Sequence, residues 1–161
     1  MFEVIVPAMK AIEFLGFYEP FSSWSHLLAA VAALIAMFPL LWRGRGNAGR
    51  ETSLVIFSVS LVFLFSMSGV FHLLEKPSLA RDVLQRLDHA GIWVLIAGTF
   101  TPVHMILFRG PWRWCPLAVI WILAITGLVW QIIFFTSCPE GLITSLFLGL
   151  VWFGVVSMVK Y

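Results

Sequence analysis

The chain has 161 residues, of which 61% are hydrophobic and only 11% charged, with a formal net charge of +2. Ordinary soluble domains carry about 25% charged residues, and a fold of this size has too little interior to hide so much apolar surface. The composition therefore excludes a water-soluble globular domain, and the small net charge argues against a nucleic-acid partner.

From the N-terminus, residues 1–20 hold Glu3, Lys10, Glu13 and Glu19 among apolar residues. They lack the uncharged core and small-residue cleavage site of a signal peptide. They are expected to form an amphipathic segment on the membrane surface, touching it through Met9, Ile12, Phe14 and Phe17. Residues 21–161 then read as an all-α integral membrane helix bundle. A hydrocarbon core about 30 Å thick takes roughly 20 helical residues to cross, and the apolar runs give spans at about 21–41, 53–74, 89–108, 114–135 and 141–159. The polar joints between them are Trp42–Thr52, Glu75–Asp88, Arg109–Arg113 and Thr136–Glu140. Each span is a continuous apolar run rather than an alternating strand, which favours helices over a barrel.

Successive spans alternate in direction. The start of the first, the end of the second and the start of the third therefore meet at one membrane face, which collects Glu19, Ser22, His26, Ser68, His72, Asp88 and His89. His104, at the far end of the third span, belongs to the opposite face and to no shared site. Polar groups inside a membrane must be paired or hydrated, so this cluster is where function is expected.

Ser68 and His72 lie four residues apart, on one stripe of the second helix. An imidazole there can bind a metal through one nitrogen while the other is held by a hydrogen bond. Asp88 can serve as a metal ligand, hold a metal-bound water or act as a general base. Each has a plain alternative. Asp88 before an apolar run is also an ordinary N-cap, Ser68 can bond back to its own helix, and His72 can simply be a packed or solvated histidine. His89 is expected to face headgroups and His26 to bond across helices.

In the third helix, Gly91 and Gly98 suit close helix packing. Pro102 removes one backbone hydrogen bond and is expected to kink the helix, with Thr99 or Thr101 available to the freed carbonyls. Cys115 and Cys138 flank the fourth span about 34 Å apart and cannot pair within that helix.

The stretch Arg86-Leu-Asp-His-Ala-Gly-Ile-Trp-Val-Leu-Ile-Ala-Gly-Thr-Phe-Thr-Pro102 resembles the third-helix signature of the hemolysin III family, which belongs with the progestin and adipoQ receptors. Ser68-x-x-x-His72 and the run from Glu19 to His26 resemble the family's other two N-terminal motifs, in the right order. The resemblance implies a seven-helix fold with zinc just inside the membrane. It makes His72 and Asp88 the metal-site residues, Asp88 lying beside the zinc-bound water, with Ser68 and Asp88 the catalytic pair. It also implies a zinc-dependent membrane hydrolase of lipid amides such as ceramides. The bacterial branch implies instead a pore-forming, haemolytic protein, and a receptor-like or structural protein without catalysis is the third expectation.

Two departures qualify this. Ser22 stands where the first-helix motif usually has Asn, and the family's His-x-x-x-His pair on helix seven has no counterpart, the chain ending at Tyr161. The expected state is a bundle truncated after the fifth helix, or an incomplete remnant of the hydrolase, with zinc held tightly only if His26 or His89 replaces the missing pair. Expected partners are membrane lipids and a second copy that completes the bundle. The expected location is the bacterial plasma membrane, multi-pass. Lys10, Lys76, Arg81 and Arg86 lie on the histidine face against Arg43, Arg45, Arg50, Arg109, Arg113 and Lys160 on the other. Positive charge alone favours an external N-terminus. The resemblance implies a cytoplasmic one, and that is the orientation expected.

Overall fold

The structure, a computed structural model, describes residues 19–75 and 78–159. The expected amphipathic segment lies, but for Glu19 and Pro20, outside the described residues. Five helices follow in order: α1 Pro20–Gly44, α2 Ala48–Leu73, α3 Leu79–Leu107, α4 Pro111–Ile133 and α5 Glu140–Ser157. All five are long and apolar enough to cross a membrane.

The joints are short because their residues stop and restart helices within a few positions. After α1, Gly46 adopts φ +89°, a left-handed conformation that costs glycine little. Asn47 then caps α2, its side chain accepting from the Arg50 N–H at 3.0 Å. Pro111 opens α4 at a position where the missing N–H costs nothing.

The largest departure from the expected spans is in α3, which starts at Leu79 rather than His89. The hydrophobic run does begin near Asp88, but a helix needs only a cap and residues willing to be helical. Ser78 supplies the cap, accepting from the Arg81 N–H at 3.3 Å. The expected polar joint Glu75–Asp88 is thus mostly helix. Asp88 lies within α3 instead of capping it, which overturns its N-cap role.

α3 is the central helix. Of its most apolar stretch 44% is buried inside the protein, against 6% for α1. Its residues Trp93, Ala97 and Phe100 form the core with Ile120 and Ala124 of α4 and Leu150 of α5. Small residues set how closely the helices approach, as expected of Gly91 and Gly98. A Cβ on Gly98 would stand 2.5 Å from Ser60 Oγ of α2, so any larger residue would push α2 and α3 apart. Pro102 lies inside α3, which continues through it. Thr99 and Thr101 donate to the carbonyls of Leu95 and Ala97, each at 2.8 Å. Neither takes the Gly98 carbonyl that the proline leaves open.

Candidate functional site

The polar site is assembled where α1 starts, α2 ends and α3 starts. Two hydrogen bonds fasten α1 to α2. The Glu19 N–H donates to the His72 carbonyl at 3.1 Å, and Ser23 Oγ donates to the Gly69 carbonyl at 2.8 Å. The first is available because the last turn of a helix leaves carbonyls, here that of His72, without intrahelical partners. Glu19 is thereby set directly over the end of α2.

Its carboxylate bridges the two other helices. Oε2 lies 2.7 Å from His72 Nδ1, and Oε1 accepts from Arg81 Nη2 at 2.7 Å. Arg81 is 3% exposed, and a guanidinium so deeply placed needs acceptors all round. It finds them in the Phe71 carbonyl at 3.1 Å and the Leu74 carbonyl, while its plane lies 4.4 Å over the Phe71 ring. One arginine of α3 therefore closes the end of α2 and holds the carboxylate contributed by α1. Burial pushes the Glu19 carboxyl up, but hydrogen bonds and charge from His72 and Arg81 outweigh it and hold the group below the usual carboxylate range.

A carboxylate accepts and does not donate, so His72 Nδ1 carries the hydrogen and Nε2 is the nitrogen left over. This is the arrangement that orients a metal-binding imidazole in many sites. One turn deeper, Ser68 shares a 2.7 Å hydrogen bond with His26 Nδ1. The His26 ring stands edge-on to His72 at 5.5 Å between centroids and to Phe65 at 5.8 Å. The expected bond of His26 across helices is present, and its partner is Ser68.

Asp88 stands apart from these pairs. It lies seven residues after Arg81, about two helical turns, and so on nearly the same face of α3. Gly91 packs on Leu64 in the antiparallel α2, which brings Asp88 level with the turn containing Ser68. Yet among the described residues no hydrogen bond or ion pair joins Asp88 to Ser68, His72 or any other group. His89 turns to the other side, donating through Nδ1 to the Gln85 carbonyl at 2.8 Å and meeting the edge of Phe135. His104, expected to belong elsewhere, is fully buried between the ends of α3 and α5, with Nε2 3.0 Å from Ser157 Oγ. Among the described residues no three His, Cys, Asp or Glu side chains converge closely enough to hold a metal ion.

Sequence reasoning placed Glu19 at this face but missed Arg81 as its partner, because Arg81 reads there as a charge in a solvated joint. The available signal was Ser78, three residues earlier, which starts the helix and turns that joint into structure.

A sequence model of the family described as "Haemolysin-III related" matches residues 16–161. The chain is similar to Hemolysin-3 of Bacillus cereus, 34% identical over 112 residues that make up 68% of this chain and 51% of that protein. It is also similar to the Hemolysin-3 homolog of Bacillus subtilis (strain 168), 30% identical over 132 residues, 82% of this chain and 61% of that one. The chain thus spans between half and two thirds of the length of these relatives.

Proposed function

Because the chain belongs to the haemolysin-III-related family of integral membrane proteins, we propose that its histidine-bearing end is one wall of a zinc-dependent site for hydrolysis of lipid amides. The observation that carries this is His72, with Nδ1 fixed on Glu19 at 2.7 Å and Nε2 left over. Zinc fits only in part: a catalytic ion takes three protein ligands and a water, and the described residues offer one oriented imidazole without a converging set. We propose that a second copy of the chain supplies the other ligands.

Bound zinc would supply Lewis acidity toward an amide carbonyl. The chain's own residues hold and orient. Glu19 fixes the His72 ring, Arg81 fixes Glu19, and the Ser68–His26 pair offers hydrogen-bonding groups beside that ring. Asp88, level with Ser68 and half-buried, is the carboxylate we propose to take a proton. The plasma membrane with a cytoplasmic N-terminus is the setting we propose. A reporter fused after Tyr161 that stays cytoplasmic would reverse that orientation.

The test is metal analysis of protein purified from membranes. Zinc that falls in His72→Ala and, less steeply, in Glu19→Gln supports the site; a trace of zinc unchanged in His72→Ala removes it. A second reading, pore formation by associated copies, is supported by the outward apolar flank of α1, where Phe21, Leu28, Ile35 and Phe38 are more than half exposed. It expects metal-independent dye release from liposomes, and tight vesicles at high protein-to-lipid ratio would defeat it.

A further inference from the structure

At the opposite end of the bundle the arginines are disposed differently. Arg43, Arg45 and Arg50 lie around the α1–α2 joint, and Arg109 and Arg113 around the α3–α4 joint. Glu51 is close in sequence, but among the described residues no carboxylate pairs with any of the five; both ion pairs belong to Glu19. Arg113 is nonetheless anchored, donating through Nε to the Phe108 carbonyl at 2.8 Å and leaving its Nη groups with no described protein partner.

Directly beside these joints, α2, α3 and α4 leave a groove of about 390 Å³ on the flank of the bundle. Its walls are almost wholly apolar and include Gly49, Ile56, Met105, Trp114, Leu117 and Trp121. Gly49 and Trp114, at its arginine end, are the immediate neighbours of Arg50 and Arg113. The groove lies along three helices long and apolar enough to span a bilayer, so in a membrane its deeper part would lie among acyl chains and its arginine end near the headgroups. Trp121 has spent its N–H on Thr101 Oγ1 at 3.0 Å and presents only its ring to the groove.

We propose that this groove binds an anionic phospholipid, with the headgroup phosphate on Arg50 and Arg113 and one acyl chain along the wall from Trp114 to Ile56. Charge decides the class of ligand. Acyl chains gain little by leaving other acyl chains for an apolar groove, so the groove alone selects nothing. Guanidinium groups bind phosphate through paired N–H donors, and basic pockets between membrane helices recognise anionic headgroups in this way. The groove then fixes where the lipid sits.

The experiment is native mass spectrometry of the detergent-purified full chain, titrated in separate arms with phosphatidylglycerol, phosphatidylcholine and inorganic phosphate. One phosphatidylglycerol per chain is expected, with phosphatidylcholine at least about tenfold weaker. Arg50→Gln with Arg113→Gln should lower phosphatidylglycerol binding about tenfold, since each arginine near the surface contributes several-fold. Arg43→Gln with Arg45→Gln should lower it less than about threefold. Ala118→Phe, which fills the groove without touching charge, should also displace the lipid. Gel filtration accompanies each variant, and the two arginine pairs test the headgroup half even if Ala118→Phe does not fold. Equal binding of the two lipids overturns the proposal. So does an equal loss from both arginine pairs, which would mean a diffuse field, or displacement by inorganic phosphate, which would mean a free-anion site.

Discussion

Among the described residues the two ends of this bundle carry charges of similar number, and only the histidine end joins any of them in ion pairs. At the histidine end, Glu19, His72 and Arg81 are turned on one another and tie three helices together. At the other end no arginine joins an ion pair among the described residues, and the interior is closed by hydrogen bonds. There His104 donates to the Phe100 carbonyl and meets Ser157, while Trp112 donates to the Ser157 carbonyl at 3.1 Å. Charge inside a protein stabilises only when it is paired and fully hydrogen-bonded, whereas charge at the headgroups is free to meet lipid. The difference separates an end built to hold a geometry from an end built to meet its surroundings.

The largest test of that contrast is Arg81→Ala. It strips Glu19 of its cation, the Leu74 carbonyl of the guanidinium donor and the Phe71 carbonyl of one of two donors. The expected cost is about 3 kcal/mol, the low end of the range for a broken buried pair because Glu19 keeps some contact with water. Thermal melting in detergent measures it, and Arg81→Lys should recover only part, a single ammonium being unable to reproduce the planar fork. A melt within a degree of the parent would show the clasp to be ornamental.

Glu19→Gln keeps the shape and removes the charge, for an expected loss of about 1.5 kcal/mol. The same group gives a pH dependence whose sign follows from its lowered pKa. A carboxyl held below its ordinary value, about 4.3, contributes its full stabilisation above that value and loses it as pH falls through the folded one. The parent should therefore lose stability on acidification below about pH 4.3 more steeply than Glu19→Gln. Parallel melting curves from pH 7 to 3 would contradict the pairing.

How much of this was legible in the sequence follows the same division. Membrane spans rest on apolar runs, so five helices could be counted and most of their ends placed. The histidine end could be located because alternating spans bring Glu19, His26, Ser68 and His72 to one face. Its wiring could not be read, since hydropathy scores Arg81 and Asp88 as loop and hides that α3 begins at Leu79. Spacing placed Ser68 and His72 on one stripe, but which partner each would take depends on the register of α1 against α2. That register is fixed by contacts such as Ser23 to the Gly69 carbonyl, which no periodicity encodes. The groove at the arginine end was invisible for a related reason, being lined by residues from three helices that read singly as ordinary lipid-facing positions.

At the arginine end, Ser157→Ala removes the hydroxyl that joins His104 of α3 to α5. Both partners are buried, so the expected cost is about 1 kcal/mol, that of one hydrogen bond. Because no ion pair is involved, raising salt should leave the difference between parent and variant unchanged. A salt-dependent difference would mean that charge reaches this interior after all.

The smallest expected effect belongs to Arg43→Gln with Arg45→Gln, and it tests the contrast from its other side. Both side chains are exposed and, among the described residues, neither forms an ion pair or a side-chain hydrogen bond. Removing them leaves no buried partner unsatisfied and opens no cavity, so none of the mechanisms behind a large loss applies. The melting temperature in detergent should shift by no more than corresponds to about 0.5 kcal/mol. Association with vesicles of anionic lipid should weaken measurably, and more at low salt than at high, because exposed charges are screened over about 10 Å at 0.1 M. A loss of folding stability approaching that of Arg81→Ala would erase the distinction between the two ends, since it would require these arginines to be holding helices rather than facing lipid.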